Sequence, residues 1–225
     1  MSTTHLAAKN RHERDERIAF DGPSHTYIVD GITECRSVTQ LVAKAFPKFC
    51  ADSAIAAMRS GRKWTESHPM FGMSDDEIKK AWSDKGKAAS AAGTSLHNAI
   101  EVALNQPDVP FDACEAHPEF AAGFVPFMQS LGTHLTPFRT EWQVFDKKRR
   151  VAGSIDAVFY NSADETYVLY DWKRTAHIPQ ENKFDNGIGP FRHLPDCKGA
   201  RYALQLNMYA EILERCYGIN VSKMK

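Results

Sequence analysis

Hydrophobic and polar residues between Thr136 and Arg174 follow one another in short runs that are rich in β-branched and aromatic side chains. Such runs are typical of β-strands, and clusters of polar turn residues separate them. The pattern predicts three consecutive antiparallel strands at residues 138–146, 151–160 and 166–174. Because both faces of these strands carry apolar residues, we expect helices to cover both sides of the sheet.

Most of the other segments are predicted to be helical. Apolar residues recur at the spacing of one helix face, and Ser37 and the Ser74–Glu77 pair are typical of helix starts. Gly93 is expected to interrupt the longest helical region. The predicted helices cover residues 38–46, 53–62, 74–82, 93–104, 118–131 and 199–217. A hairpin with an Asp30-Gly31 turn precedes them, and a further strand is expected to begin within residues 220–225.

These elements predict an α/β (α+β) fold, in which a mixed sheet contains a three-strand antiparallel meander flanked by helices. Residues 1–18 are polar and charged, and we expect them to form a flexible tail. Residues 19–225 have the length of a single domain. Within it, residues 19–92 form the N-terminal hairpin and helical part, and residues 93–225 form the core.

Composition narrows the class of protein. Lys and Arg number 28, as do Asp and Glu, so a strongly basic nucleic-acid binder is not indicated, although local basic patches remain. The five cysteines form no CxxC pair, which argues against zinc fingers and a disulfide framework. No apolar run reaches the length of a membrane span. We therefore expect a soluble, intracellular protein with reduced thiols.

Charged residues inside the predicted strands are the first candidates for chemistry. Asp156 lies within an otherwise apolar strand, and Asp171 and Lys173 follow on the next strand. Residues two apart on a strand share a face, so Asp171 and Lys173 project together, and strand pairing brings Asp156 to the same place. A charge in such a position is costly unless it is paired or binds a metal. A structural ion pair with Lys173 and a metal site are both consistent with this pattern.

Two helices carry further polar pairs at a spacing of four residues. His97 and Glu101 share one face of the helix that follows Gly93. Gln205 and Tyr209 share one face of the last helix. Each pair is consistent with ordinary packing or with a contribution to a site on the sheet.

Four short motifs follow one another along the chain: Gly93-x-x-x-His97, Gly153-x-x-Asp156, Asp171-x-Lys173 and Gln205-x-x-x-Tyr209. Taken in this order, they resemble the motifs of the PD-(D/E)XK nucleases, in particular the RecB-like branch that includes mitochondrial, viral and phage exonucleases. The phrase Asp171-Trp172-Lys173-Arg174-Thr175 is similar to the Asp-Trp-Lys-Thr of that branch, with Arg174 inserted. The resemblance covers about residues 25 to 217 and implies a restriction-endonuclease-like core.

The resemblance also implies roles for individual residues. His97, Asp156 and Asp171 would bind Mg²⁺ or Mn²⁺, because carboxylate oxygens favour hard ions and one imidazole suits Mn²⁺. Lys173 and Glu101 would join Asp156 and Asp171 in catalysis. Gln205, Tyr209 and Thr175 would contact the substrate. No iron–sulfur cluster is expected, since Cys197 and Cys216 lack the spacing of cluster-binding members.

By the same resemblance, the expected activity is metal-dependent hydrolysis of DNA phosphodiester bonds. The expected substrate is single-stranded DNA or DNA with free ends, and the expected context is replication, repair or recombination. One alternative is a non-catalytic nucleic-acid-binding module that retains the fold. The other is a structural or interaction protein in which the charged strand residues form ion pairs.

Overall fold

A computed structural model of the chain describes residues 4–106 and 120–225. The strands are β1 (Ile18–Asp21), β2 (Thr26–Val29), β3 (Ile32–Ser37), β4 (Leu135–Asp146), β5 (Val151–Asn161), β6 (Thr166–Tyr170) and β7 (Val221–Met224). The α-helices are α1 (His5–Lys9), α2 (Val38–Lys44), α3 (Ala51–Ser60), α4 (Asp75–Asn105), α5 (Val125–Ser130) and α6 (Lys198–Ile212). Single π-helical turns precede α5 and follow α6, at Phe120–Phe124 and Leu213–Tyr217.

The described strands form one mixed sheet, in the order β1-β2-β3-β5-β6-β7, with β4 on the other edge of β5. Consecutive strands β4, β5 and β6 pair antiparallel. Strand β3 runs parallel to β5, and β7 runs parallel to β6. The predicted mixed sheet with a three-strand meander flanked by helices is therefore confirmed.

Along one of its edges, strand β5 pairs with two different strands, one at each end. It pairs with β3 only at Val151 and Ala152, and with β6 only from Ala157 to Asn161. Residues 153–156 lie between these two pairings, so the backbone there faces a gap in the sheet. A gap of this kind exposes one strand edge to side chains and ligands, and it is the feature of the fold that positions the candidate site.

Two hydrophobic cores pack against the sheet. One includes residues of α2 and α6 together with Trp142 and Leu169. The other includes residues from the end of α4 and from α5, which pack against Phe159 and Tyr170. Apolar residues on both faces of the meander predicted such a two-sided arrangement.

Helix starts follow the capping residues that the sequence indicates. The hydroxyl of Ser37 accepts a hydrogen bond from Gln40 N–H, and the Gln40 side chain accepts one from Ser37 N–H, a full capping box at α2. Ser74 and Glu77 exchange the same two bonds at the start of α4. Gly93, by contrast, does not interrupt α4, because one glycine costs a helix only about 1 kcal/mol and alanines precede it. The predicted start of the next helix at Pro118 lies outside the described residues.

The chain divides into two compact units, residues 1–47 with 96–225 and residues 48–95. In the second unit, Lys79 pairs with Asp52 and Arg59 pairs with Asp75, at 2.7 and 2.6 Å. The first unit contains the whole described sheet, including the hairpin that the sequence analysis grouped with residues 19–92. The hairpin joins the core because β3 pairs directly with β5.

Residues 4–17, predicted as part of a flexible tail, instead pack against β4. Leu6 is buried, and its N–H donates to the side chain of Asn105 in α4 at 3.0 Å.

Several other contacts of this segment are with β4. The Asn10 side chain donates to the Phe138 carbonyl. Asp15 accepts hydrogen bonds from Arg139 and from the Trp142 indole. Side chains of this segment thus satisfy polar groups along β4, which a composition-based prediction cannot detect.

Candidate functional site

Asp156 lies in the gap of the sheet, on the edge of β5 that neither β3 nor β6 covers. Its side chain is 12% exposed, and its Oδ2 accepts a hydrogen bond from Trp172 N–H at 2.8 Å. This bond connects β5 to the segment that leaves β6. The charge-bearing strand residue that the sequence singles out is therefore held in a defined orientation.

Asp171 and Lys173 lie just beyond the end of β6. The predicted strand extends to residue 174, whereas β6 ends at Tyr170. Even so, the two side chains meet, with Lys173 Nζ 2.6 Å from Asp171 Oδ2. Asp171 is 5% exposed, and Gln205 of α6 donates to its other oxygen at 3.0 Å. The lysine and the amide fix the orientation of this carboxylate.

His97 of α4 and Glu141 of β4 complete a group with Asp156. One ligand-type atom from each of the three lies within 4.8 Å of the others. His97 Nδ1 is 3.6 Å from a Glu141 oxygen and 3.7 Å from an Asp156 oxygen. On the other side of the ring, His97 Nε2–H donates to the Trp172 carbonyl at 2.8 Å. The ring therefore directs its second nitrogen towards two carboxylates.

Glu141 is a residue that the sequence analysis missed. The register of β4 and β5 pairs Thr140 with Ala157 and Trp142 with Ile155, which places Glu141 beside Asp156. Its φ of 42° is in the left-handed region, which is costly for a residue with a side chain. Ser154 donates to its Oε2 at 3.1 Å. A carboxylate within the first meander strand was a detectable signal, but polar neighbours made it resemble solvent-exposed sequence.

The charges in this group are only partly compensated. Burial, followed by the negative charge of Asp171, raises the pKa of Asp156 to about 7 from its ordinary value of 3.8. The hydrogen bond with Glu141 raises the pKa of His97, against the opposite effect of burial. Neighbouring carboxylates contribute to both shifts, and carboxylates held this close together are stabilised by a cation.

The other predicted site residues occupy different positions. Tyr209 is buried over Gly153, where an added Cβ would lie 2.6 Å from the tyrosine ring, and burial raises its pKa. Thr175 is exposed and donates to the His177 carbonyl. Glu101 lies outside the group of His97, Glu141 and Asp156, and it lines a separate pocket that Glu141 also borders.

A cleft of about 670 Å³ adjoins this group. Its walls are formed by residues of α4, the π-helical turn, α5 and the segment after β6. The lining residues are Leu96, Ile100, Gly123, Phe124, Phe127, Trp172, Lys173, Arg174, Thr175 and Ala176. Trp172 and Lys173 thus belong both to the cleft and to the surroundings of the carboxylates.

The basic cluster Lys147–Arg150 is partly paired with acidic side chains. Lys147 pairs with Asp30 at 2.6 Å, and Arg149 pairs with Glu211 at 2.7 Å. The net positive charge of this cluster is therefore smaller than its sequence indicates. In the described part of the chain, no helix has both the length and the apolar character that a membrane span requires.

We compared the chain with protein-family models, with curated proteins and with solved structures, and none of the three comparisons gave a match. Membership of the nuclease family, which the four motifs indicate, is therefore still a prediction.

Proposed function

We propose that this protein is a metal-dependent nuclease that hydrolyses phosphodiester bonds of DNA. The observation that carries the proposal is the group formed by His97, Glu141 and Asp156, with Asp171 and Lys173 beside it. Single-stranded DNA or DNA with free ends is the proposed substrate, and an intracellular role in replication, repair or recombination is the proposed context.

The donor set fits a divalent ion. Two carboxylates and one imidazole form a ligand set that suits Mn²⁺ well. Mg²⁺ would bind mainly through the carboxylate oxygens. A metal-binding histidine usually donates its other ring N–H to a carboxylate or a backbone carbonyl, and the bond from His97 Nε2 to Trp172 has this form. The raised pKa of Asp156 points the same way, because an uncompensated carboxylate is stabilised by a cation.

Each residue then has a defined task. A bound divalent ion would neutralise phosphate charge and lower the pKa of a water molecule. His97, Glu141 and Asp156 would hold this ion, with Asp171 as a further ligand. Lys173 would position the attacking water and stabilise negative charge on the phosphate. Gln205 would keep Asp171 oriented, and the backbone of Trp172 would hold Asp156 and His97 in place.

The alternative of a structural ion pair has support from one contact. Lys173 and Asp171 form a close pair that needs no metal to explain it. That pair does not account for the position of Glu141 and Asp156, whose carboxylate oxygens lie 3.6 and 3.7 Å from His97 Nδ1. A site built only for stability would gain by replacing one of these carboxylates with a neutral residue.

The test uses end-labelled single-stranded, duplex and circular DNA with Mn²⁺, with Mg²⁺ and with EDTA. We expect the wild type to cleave only with metal, and Lys173→Ala to lose on the order of 10²–10³-fold in rate with the fold intact. Lys223→Ala, which changes a lysine on β7, is the matched control and should cleave normally. Cleavage by Lys173→Ala at the wild-type rate would contradict the role of Lys173. Binding of DNA without cleavage would favour a non-catalytic module.

A further inference from the structure

The cleft beside the carboxylates is connected to them through two consecutive residues, Trp172 and Lys173. Trp172 N–H donates to Asp156, and its carbonyl accepts from His97, while the Trp172 side chain forms part of the cleft wall. Lys173, the next residue, also lines the cleft and pairs with Asp171. A ligand in the cleft would thus lie close to a phosphate bound at the carboxylate group, because the same two residues border both places.

The chemistry of the cleft wall indicates a flat aromatic ligand. Trp172 packs edge-on against Phe124 and Phe127, with ring centroids 5.8 and 5.3 Å apart, and it stacks on Tyr170 at an angle of 11°. These contacts brace the tryptophan and Phe127 as rigid aromatic surfaces. Leu96 and Ile100 extend the apolar wall, and a volume of about 670 Å³ is within the usual range of small-molecule sites.

The basic residues at the cleft distinguish a nucleobase from a purely apolar ligand. Lys173 and Arg174 place positive side chains there, where the phosphate attached to a base would need them. Bases also offer ring faces that stack on aromatic side chains, whereas an aliphatic chain does not.

We propose that this cleft binds one unpaired nucleobase of the DNA strand whose phosphate lies at the carboxylate group. The inference rests on the proposed nuclease function and names a structural basis for its substrate. A base can enter an aromatic cleft only when it leaves the duplex stack, which costs free energy in paired DNA and little in a single strand. The cleft therefore selects single strands and frayed ends over the interior of a duplex.

Binding is tested without cleavage, in EDTA, with short single strands that carry one 2-aminopurine at each position in turn. Stacking quenches this base, so we expect strong quenching at one or two adjacent positions with the wild-type protein. Phe127→Leu keeps an apolar side chain but removes the aromatic face, and it should abolish the positional response and weaken binding about tenfold. The fluorescence of a probe in the interior of a duplex, which is already stacked between its neighbours, should not change when protein is added.

A second variant guards against loss of packing in Phe127→Leu. An added Cβ at Gly123 would have no atom within 4 Å, so Gly123→Leu should fold normally and fill the cleft. It should also abolish the positional response. Phe184→Leu removes an aromatic residue that is 94% exposed and does not line the cleft, and it should leave quenching unchanged.

The outcomes separate this inference from the proposed function. Equal quenching at all positions, or an unchanged positional response in Gly123→Leu, would overturn the base-binding cleft even if the protein cleaves DNA. A positional response that both cleft variants remove, in a protein that never cleaves DNA, would support the cleft and contradict the nuclease.

Discussion

Two largely buried carboxylates, Asp15 and Asp156, show how the same chemical group is treated in two regions of this molecule. Asp15 lies in the N-terminal segment that packs on β4. It accepts hydrogen bonds from Arg139 and Trp142 at 2.8 and 2.9 Å, and from the His12 backbone. Asp156 lies in the gap of the sheet, near Asp171 and Glu141, and is only partly compensated by His97 and Lys173.

The pKa values of the two groups move in opposite directions for this reason. Burial acts to raise the pKa of Asp15, but hydrogen bonds from Arg139, His12 and Trp142 more than offset it, so the pKa is lowered. Burial and the charge of Asp171 raise the pKa of Asp156. A carboxylate that stabilises the fold is surrounded by hydrogen-bond donors, whereas a carboxylate that binds a ligand lacks some of these donors in the absence of the ligand. We therefore interpret Asp15 as structural and Asp156 as functional.

The largest expected effect is the loss of DNA cleavage when Asp156 is replaced. Asp156→Asn keeps the size of the side chain and an acceptor for Trp172 N–H, but it removes the charge that would bind a metal ion. We expect metal-dependent cleavage to fall on the order of 10³-fold, with no loss of thermal stability. Rates on end-labelled DNA and a thermal melt are the measurements. A variant that melts far below the wild type would show that Asp156 is structural instead.

A smaller effect, on stability, is expected at Asp15. Asp15→Ala leaves the Arg139 guanidinium, which is 7% exposed, without its carboxylate partner and with only the Asn10 carbonyl of this segment as an acceptor. Removing one member of a buried pair costs about 3 kcal/mol of unfolding free energy, measurable by urea denaturation. Glu16→Ala is the matched control, because Glu16 pairs with Arg11 at the surface, where ion pairs contribute little. Equal stability of Asp15→Ala and Glu16→Ala would contradict the structural role of Asp15.

The smallest effect is a pH dependence of opposite sign at the two sites, measured in EDTA. The folded-state pKa of Asp15 is below its ordinary value of 3.8, so its stabilisation is complete above pH 3.8 and is lost as the pH falls through the folded-state pKa. The stability gap between wild type and Asp15→Ala should therefore narrow in acid.

At Asp156 the folded-state pKa is raised to about 7, so folding is favoured when the group is protonated. The wild type should lose stability relative to Asp156→Asn as the pH rises from about 4 through about 7. Urea denaturation at several pH values measures both variants. Parallel pH profiles for Asp15→Ala and Asp156→Asn would remove the distinction drawn between the two carboxylates.

Local pattern was sufficient to predict much of the fold. Alternation and turn residues place the meander strands within a few residues of their observed bounds, except for the third, which ends at Tyr170 and not at residue 174. The capping residues Ser37 and Ser74 mark true helix starts. Strand β1 and helix α1 were missed, because they have only four and five residues, too few for a periodic pattern to be recognised.

The candidate site was only partly predictable for the same reason. Asp156, Asp171 and Lys173 stand out because charges interrupt apolar strands, and Gln205 proves to contact Asp171. Glu141 also lies in a meander strand, but its polar neighbours obscure that signal, and its proximity to Asp156 depends on the β4–β5 register and on its left-handed backbone. Glu101 has the expected spacing from His97 but lies outside the group of His97, Glu141 and Asp156.

By itself, the sequence determined most of the segments that form strands and helices, and which charged residues lie in apolar surroundings. These properties depend on side-chain periodicity and on the cost of burying charge, both of which act over a few neighbouring positions. Only the tertiary structure decided that one edge of β5 pairs with both β3 and β6. It also decided that Glu141 lies beside His97 and Asp156, and that an aromatic cleft adjoins them. Those features arise from contacts between residues far apart in the chain, and a local pattern carries no information about such contacts.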